Sequence, residues 1–118
     1  MTRPRVLAVI PDLMFQSRVR EQAEALDYDL TVADSMDDAT RGLEALPPLL
    51  VIDLHAAGID TSQVIRDAKG QGTRVLAFGR HTEAAVLREA RDAGADAVVV
   101  RSTFVEEMPQ LLREHAGA

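Results

Sequence analysis

The sequence predicts an α/β domain, a doubly wound parallel sheet with helices on both faces, and three observations predict it. Short runs suited to strands recur five times along the chain: Val6-Leu7-Ala8-Val9-Ile10, Asp29-Leu30-Thr31-Val32-Ala33, Leu49-Leu50-Val51-Ile52-Asp53, Arg74-Val75-Leu76-Ala77-Phe78 and Ala97-Val98-Val99-Val100. Most are continuously apolar, as strands covered on both faces are. Stretches with helical periodicity separate them, and βα alternation implies a parallel sheet. Finally, the most apolar run ends in a carboxylate, Asp53, and a loop-like stretch follows at once, Leu54-His55-Ala56-Ala57-Gly58. In open α/β sheets, the carboxyl ends of the strands are where ligands bind.

The elements follow in order. Val6 to Ile10 is the first strand. Asp12 caps a helix from about Leu13 to Leu26, whose apolar stripe is Phe15, Val19 and Leu26, while Arg18, Arg20, Glu21 and Glu24 face elsewhere. Asp29 to Ala33 is more polar and is placed at a sheet edge. Ser35 caps a helix from about Met36 to Leu46 with Asp37 and Asp38 in its first turn, and Pro47-Pro48 stops it. After the third strand, Asp60 opens a short helix to about Lys69, ended by Gly70-Gln71-Gly72. After the fourth strand, Thr82 caps a helix through Ala93 that packs by Ala85, Val86, Leu87 and Ala90, with Gly94 as its C-terminal cap. The last helix spans about Thr103 to Glu114, with Thr103 and Glu106 as a capping box. Pro109 conflicts with that helix interior, so the first turn is irregular or the helix properly begins near Met108. Residues Glu114 to Ala118 are expected to fray. Right-handed crossovers favour the strand order 2-1-3-4-5, the flavodoxin-like (βα)5 three-layer sandwich.

The length of 118 residues suits one domain, residues 1–118 with a core of about 4–114. With 13 basic and 19 acidic residues the formal net charge is −6, which argues against binding to nucleic acid or an anionic membrane. The absence of cysteine excludes disulfides, thiolate metal sites and cysteine nucleophiles. The basic N-terminus, Met1 to Arg5, precedes an apolar run too short for a signal peptide or membrane span, so the chain reads as cytoplasmic. Aromatic content of 3% leaves little for base-stacking platforms.

The remaining strand ends offer Ile10-Pro11, Gly79-Arg80 and Arg101-Ser102, with neither a second strand-end acid nor a lysine. No Gly-x-Ser-x-Gly elbow and no glycine-rich phosphate loop is present. His81 beside Arg80 could form a weak metal site with Asp53 and His55, although a solvated loop histidine is the plainer reading. Leu13, Met14 and Phe15 cluster near the same rim. Phe15 fits the core stripe, whereas Met14 is either a partner contact or a lone surface methionine.

Across nearly its whole length the chain resembles the receiver domains of bacterial response regulators in two-component phosphorelays. Pro47-Pro48-Leu49-Leu50-Val51-Ile52-Asp53 is similar to the run leading into the phospho-accepting aspartate of these CheY-like proteins. Asp60 matches the acidic position opening the third helix, and Ala93-Gly94-Ala95-Asp96 with Val98-Val99-Val100 is similar to the family's "AGADDYLVK" segment. The resemblance implies a phospho-acceptor at Asp53, but the metal-binding acidic pair aligns with Ile10 and Pro11. Asp12, one residue on, either caps its helix or turns inward as a metal ligand with Asp53. The phosphoryl-binding hydroxyl aligns with Gly79, the small residue after it with Arg80, the aromatic switch with Val98, the lysine with Arg101 and the proline after it with Ser102.

Mg²⁺ takes hard oxygen ligands, so one aspartate without its pair should bind it poorly. The reading that follows is a stand-alone pseudo-receiver, not an enzyme and without cofactor, in which Arg101, with Arg80, neutralises Asp53 in place of metal. It would act by contact with a partner protein or itself. Family dimers pair through the fourth helix, fifth strand and fifth helix, a face that here presents Leu87, Arg91, Asp92, Val99, Arg101 and Glu106. One alternative is a working receiver phosphorylated at Asp53 by a histidine kinase, with Mg²⁺ on Asp53 and Asp12. Another is a small-ligand domain: Asp53-Leu54-His55-Ala56-Ala57-Gly58 is similar to the D-x-H-x-x-G motif of cobalamin-binding domains, whose histidine ligates cobalt. There the motif follows the first strand and here the third, so His55 is expected on an exposed loop.

Overall fold

Five strands, β1 (Arg5–Val9), β2 (Asp29–Ala33), β3 (Leu49–Asp53), β4 (Arg74–Gly79) and β5 (Ala97–Val100), form one sheet in the computed structural model, which describes residues 3–116. All pairs are parallel and the order is β2-β1-β3-β4-β5. Six helices connect or follow them: α1 (Leu13–Ala25), α2 (Met36–Glu44), α3 (Thr61–Gly70), α4 (Ala84–Asp92), α5 (Arg101–Glu106) and α6 (Met108–His115). The architecture is the flavodoxin-like doubly wound sandwich, with the terminal (βα) unit carrying two helices.

Strand side chains alternate between faces, which divides the core in two. Leu7, Val9, Leu50, Ile52, Val75 and Ala77 pack with residues of α2, α3 and α4. Val6, Ala8, Leu49, Val51, Leu76 and Phe78 pack with residues of α1, α5 and α6. Every residue of β3 is buried, because it lies between β1 and β4 with helices above and below. β2 and β5 are the edges, and all four residues of β5 are half-buried.

Several helix ends differ from the sequence reading, for local reasons. α2 stops at Glu44, before Leu46, because Leu46 takes φ 54° and leaves the helical path. Arg5 closes that end by donating to the carbonyls of Ala45 and Leu46 (2.6 and 3.1 Å). Thr82 does not cap α4: Glu83 occupies the N-cap position and no side chain caps this end. Ala85 is exposed rather than packed. Thr103 and Glu106 form no capping box, since both lie within α5, which begins at Arg101. The chain then breaks at Glu107 and restarts as α6 at Met108, with Pro109 in the first turn, where its missing N–H costs nothing. In the expected frayed tail, Glu114 and His115 complete α6, and Ala116 is buried with its N–H bonding the Leu112 carbonyl at 2.9 Å. The rest of the expected frayed tail, 117–118, and residues 1–2 of the basic N-terminus lie outside the described residues.

Asp96, just before β5, ties three elements together. Its carboxylate accepts from Lys69 at the end of α3 (2.8 Å) and from the Val75 backbone N–H in β4 (2.7 Å). Burial pushes the Asp96 carboxyl up, but the Lys69 ammonium, the Val75 N–H and the nearby Arg74 charge outweigh it, and the net position is below the ordinary carboxylate value. A value lowered by folding means stabilisation that is present above the unfolded-state value and lost as pH falls through the folded one. Urea unfolding across a pH series should therefore show Asp96→Asn less stable than the parent at neutral pH, with the difference closing below about pH 4. Gly94 ends α4 at φ 107°, and an added Cβ would meet Lys69 Cγ at 3.2 Å. Gly94→Ala should destabilise by about 1–2 kcal/mol in the same assay.

Candidate functional site

Asp53 is the last residue of β3 and is only 5% exposed. A buried carboxylate requires hydrogen bonds or a counter-charge, and each oxygen has one. Oδ1 accepts the His55 backbone N–H at 2.9 Å, an Asx-type turn that reverses the chain as it leaves the sheet. Oδ2 faces Arg101 Nη2 at 3.8 Å. That separation is an ion pair but lies beyond hydrogen-bond length.

Arg101 is held by packing rather than by hydrogen bonds. Its guanidinium carbon lies 4.5 Å from the centre of the Phe15 ring, a cation–π contact. Phe15 of α1 stacks on Phe78 of β4 (5.1 Å) and Phe104 of α5 (5.9 Å), and these two stack on each other at 4.2 Å. All three phenylalanines of the chain are thus spent on one stack, which fixes α1, β4 and α5 beneath the arginine. Arg101 Nε is buried with no partner among the described residues.

His55 corrects the sequence reading, which expected an exposed loop. It is half-buried, and its Nε2 accepts the Arg80 backbone N–H at 2.9 Å. An accepting Nε2 places the proton of the neutral ring on Nδ1. A Cβ at Gly79 would lie 3.1 Å from that Nε2 and 3.1 Å from Leu87 Cδ2. The imidazole therefore fills the space that a side chain at position 79 would need. Sequence reasoning noted Gly79 as a lost hydroxyl and missed that the glycine makes room for His55. The available signal was a glycine at a strand end, which marks close approach of another group.

Pro11, Asp12, Asp53, Arg80 and Arg101 line one cleft of about 230 Å³, together with His55, and two other pocket positions do not. Ile10 is fully buried in the apolar cluster beneath α1, and Gly79 lies behind the imidazole. Arg80 forms no ion pair with Asp53, since no carboxylate lies within 4 Å of its guanidinium among the described residues, although both line the cleft. Asp12 is exposed, and its Oδ1 accepts the Met14 and Phe15 N–H groups (2.9 and 3.0 Å) as the cap of α1. A divalent ion fits poorly here: Ile10 and Pro11 bring no side-chain ligand, one Asp12 oxygen is engaged, and a guanidinium stands against Asp53. Among the described residues no group of three His, Cys, Asp or Glu could hold a metal, so His81, which is exposed, does not complete a site with Asp53 and His55.

On the expected pairing face, Arg91, Asp92 and Glu106 are exposed and Val99 is half-buried. Leu87 is not part of that surface, because at 8% exposure it belongs to the core under α4. Leu13 and Met14 are 75% and 82% exposed at the start of α1.

Removing Asp53 would leave Arg101 stacked on Phe15 without its counter-charge. Asp53→Ala should destabilise by about 1–2 kcal/mol, less than the loss of a dry ion pair because the arginine is partly wet. Asp53→Asn keeps an acceptor for the His55 N–H and should cost less. Adding Arg101→Met to Asp53→Ala should recover part of the loss. Urea unfolding of the set decides it: a neutral or stabilising Asp53→Ala would mean the carboxylate is under strain rather than paired.

No protein-family model matches this chain, and no curated protein does either. Solved structures match well in shape. The signal receiver domain of NarL from Mycobacterium tuberculosis is 22% identical, with 100% of this chain and 99% of that chain covered, at a TM-score of 0.83. A signal receiver domain from Vibrio parahaemolyticus is 18% identical over 98% of this chain and 92% of its own, at 0.84. A receiver domain of DrrB, activated with BeF3, is 17% identical over 99% and 100%, at 0.84. Among the described residues no helix is long and apolar enough to cross a membrane. At these identities the likeness shows the architecture, and it covers the chain from end to end: this protein has the flavodoxin-like fold that these receiver domains share.

Proposed function

We propose that this chain is a signalling module of the pseudo-receiver kind, acting in the cytoplasm by contact with a partner protein or with a second copy of itself, without Mg²⁺-dependent phosphoryl uptake. It works as a binding module rather than an enzyme and needs no cofactor. The observation that carries this reading is the environment of Asp53. Phosphoryl transfer through a charge-dispersed transition state depends on metal and fixed donors around the acceptor. Here the acceptor's oxygens are engaged by the His55 N–H and the Arg101 guanidinium, and an imidazole stands against Gly79, the position the family gives to a hydroxyl. The cation is pinned by an aromatic stack rather than free to move. Such a site holds one arrangement.

Self-association through α4, β5 and α5 remains part of the proposal, with Arg91, Val99, Arg101 and Glu106 on that face and Leu87 removed from it. The receiver of NtrC4 has been solved as a beryllofluoride-activated dimer, which makes self-association worth testing here. The cobalamin reading loses support because His55 Nε2 already accepts the Arg80 N–H.

The deciding experiment is incubation with acetyl phosphate and Mg²⁺, read by intact-protein mass spectrometry. The expected result is no phosphate adduct, and no saturable binding of beryllofluoride with Mg²⁺. An adduct that disappears in Asp53→Asn overturns the pseudo-receiver reading in favour of a working receiver fed by a histidine kinase.

A further inference from the structure

We propose that the cleft between the start of α1, the β4–α4 loop and the start of α5 binds a small amphipathic organic anion, an acid group carried on an apolar body about the size of one ring. The cleft is open to solvent and measures about 410 Å³, inside the range of roughly 300–1,000 Å³ usual for small-molecule sites. Phe15 and Val105 supply its apolar wall, Arg80 and Arg101 its cations, and Thr82 and Ser102 hydroxyls at the rim. His81 completes the lining, and no carboxylate takes part in it. This cationic lining stands out in a chain whose formal net charge is −6.

The state of the two arginines selects an anion. A guanidinium carries five N–H donors. Neither Arg80 nor Arg101 donates any of its side-chain N–H groups to a protein acceptor among the described residues; the bond that Arg80 makes to His55 uses the backbone N–H. The Arg101 side chain is only 37% exposed, so water reaches it incompletely, and its one ion-pair partner among the described residues is the Asp53 oxygen at 3.8 Å. Donors that are half-buried and unpaired are costly, and an acid group on the solvent side of the two guanidiniums would relieve that cost. Asp53 offsets one of the two positive charges and leaves the other uncompensated.

The apolar half of the ligand follows from the wall. Phe15 is fixed by its stack with Phe78 and Phe104, so its position beside Arg101 is already set before anything binds. Both arginines also line the smaller cleft that holds Asp53. The ligand would therefore sit beside the aspartate and would report on, or alter, the Arg101–Asp53 pair. A concave space of this size with an apolar wall suits a small molecule better than a broad acidic protein surface. This proposal does not depend on whether Asp53 accepts a phosphoryl group.

The test is a titration of the ¹⁵N-labelled full chain, without Mg²⁺ or any phosphoryl donor, using phenylacetate, its neutral isostere phenylacetamide, and acetate. The expected result is saturable shifts with phenylacetate at the amides of Arg80, Thr82, Ser102 and Val105 and at the Arg101 Nε–H, with Arg41 and Gly42 at the far end of the sheet unmoved. Phenylacetamide and acetate should each bind more weakly. Arg80→Gln, an exposed change that keeps the backbone bond to His55, should weaken phenylacetate about tenfold, as loss of a charge-assisted contact does. Shifts that never saturate, that spread over the surface, or that survive Arg80→Gln unchanged overturn the site. Equal binding of phenylacetamide overturns its preference for an anion, and equal binding of acetate overturns its apolar half.

Discussion

A single buried carboxylate sets the terms for the functional end of this molecule. β3 is apolar along its length and covered on both faces, yet it finishes with Asp53 still inside the protein. Ionised carboxylates survive there only when their oxygens are occupied. The turn into the β3–α3 loop supplies the His55 N–H, and the start of α5 supplies a guanidinium. The chain's direction after β3, the placement of the imidazole and the packing of Arg101 all follow from meeting that one requirement.

The residues around Asp53 fit one another. The bare glycine at position 79 gives the His55 ring its space, and the ring accepts the Arg80 N–H at the sheet end. Arg101 brings a flat cation that can lie on Phe15, which a compact ammonium does less well. Phe15 can serve as that platform because Phe78 and Phe104 hold it from below. Each of these residues fits the geometry of another, so the site is a consistent arrangement. The weak point is the 3.8 Å separation between Arg101 and Asp53, which leaves the arginine only partly satisfied and so open to a second acceptor.

The sheet was legible in the sequence because burial on both faces demands continuous apolar runs, and these, with the more polar edge run Asp29–Ala33, read directly as strands with bounds close to those observed. N-caps at Asp12, Ser35 and Asp60 were legible for the same kind of local reason: an oxygen placed one residue before a helix satisfies its free N–H groups. Prediction failed where a local motif competed with packing. Thr103-x-x-Glu106 has the form of a capping box, but the chain is already helical from Arg101, because Phe104 must reach the aromatic stack from α5. Thr82 has the right chemistry for a cap, but the loop turns on a bond from the Glu83 N–H to the Arg80 carbonyl instead. Leu87 was read both as a packing residue of the fourth helix and as part of the pairing face, and burial keeps only the first, because a helix pattern alone does not tell how deep its stripe is set.

The sequence by itself determined the fold class, the strand order and the identity of Asp53 as the strand-end acid, since those depend on periodicity, chain connectivity and the handedness of crossovers. It also determined what the site lacks, because Ile10, Pro11 and Gly79 have no ligating side chain wherever they lie. Only the tertiary structure decided what surrounds Asp53. His55 and Gly79 are 24 positions apart in the chain and Phe15 and Arg101 are 86 apart, and nothing local links either pair. Their contact arises because the sheet brings the ends of β3 and β4 side by side and packs α1 and α5 on one face. A side chain's partners across such distances are set by that packing, which is a property of the whole chain rather than of any segment of it.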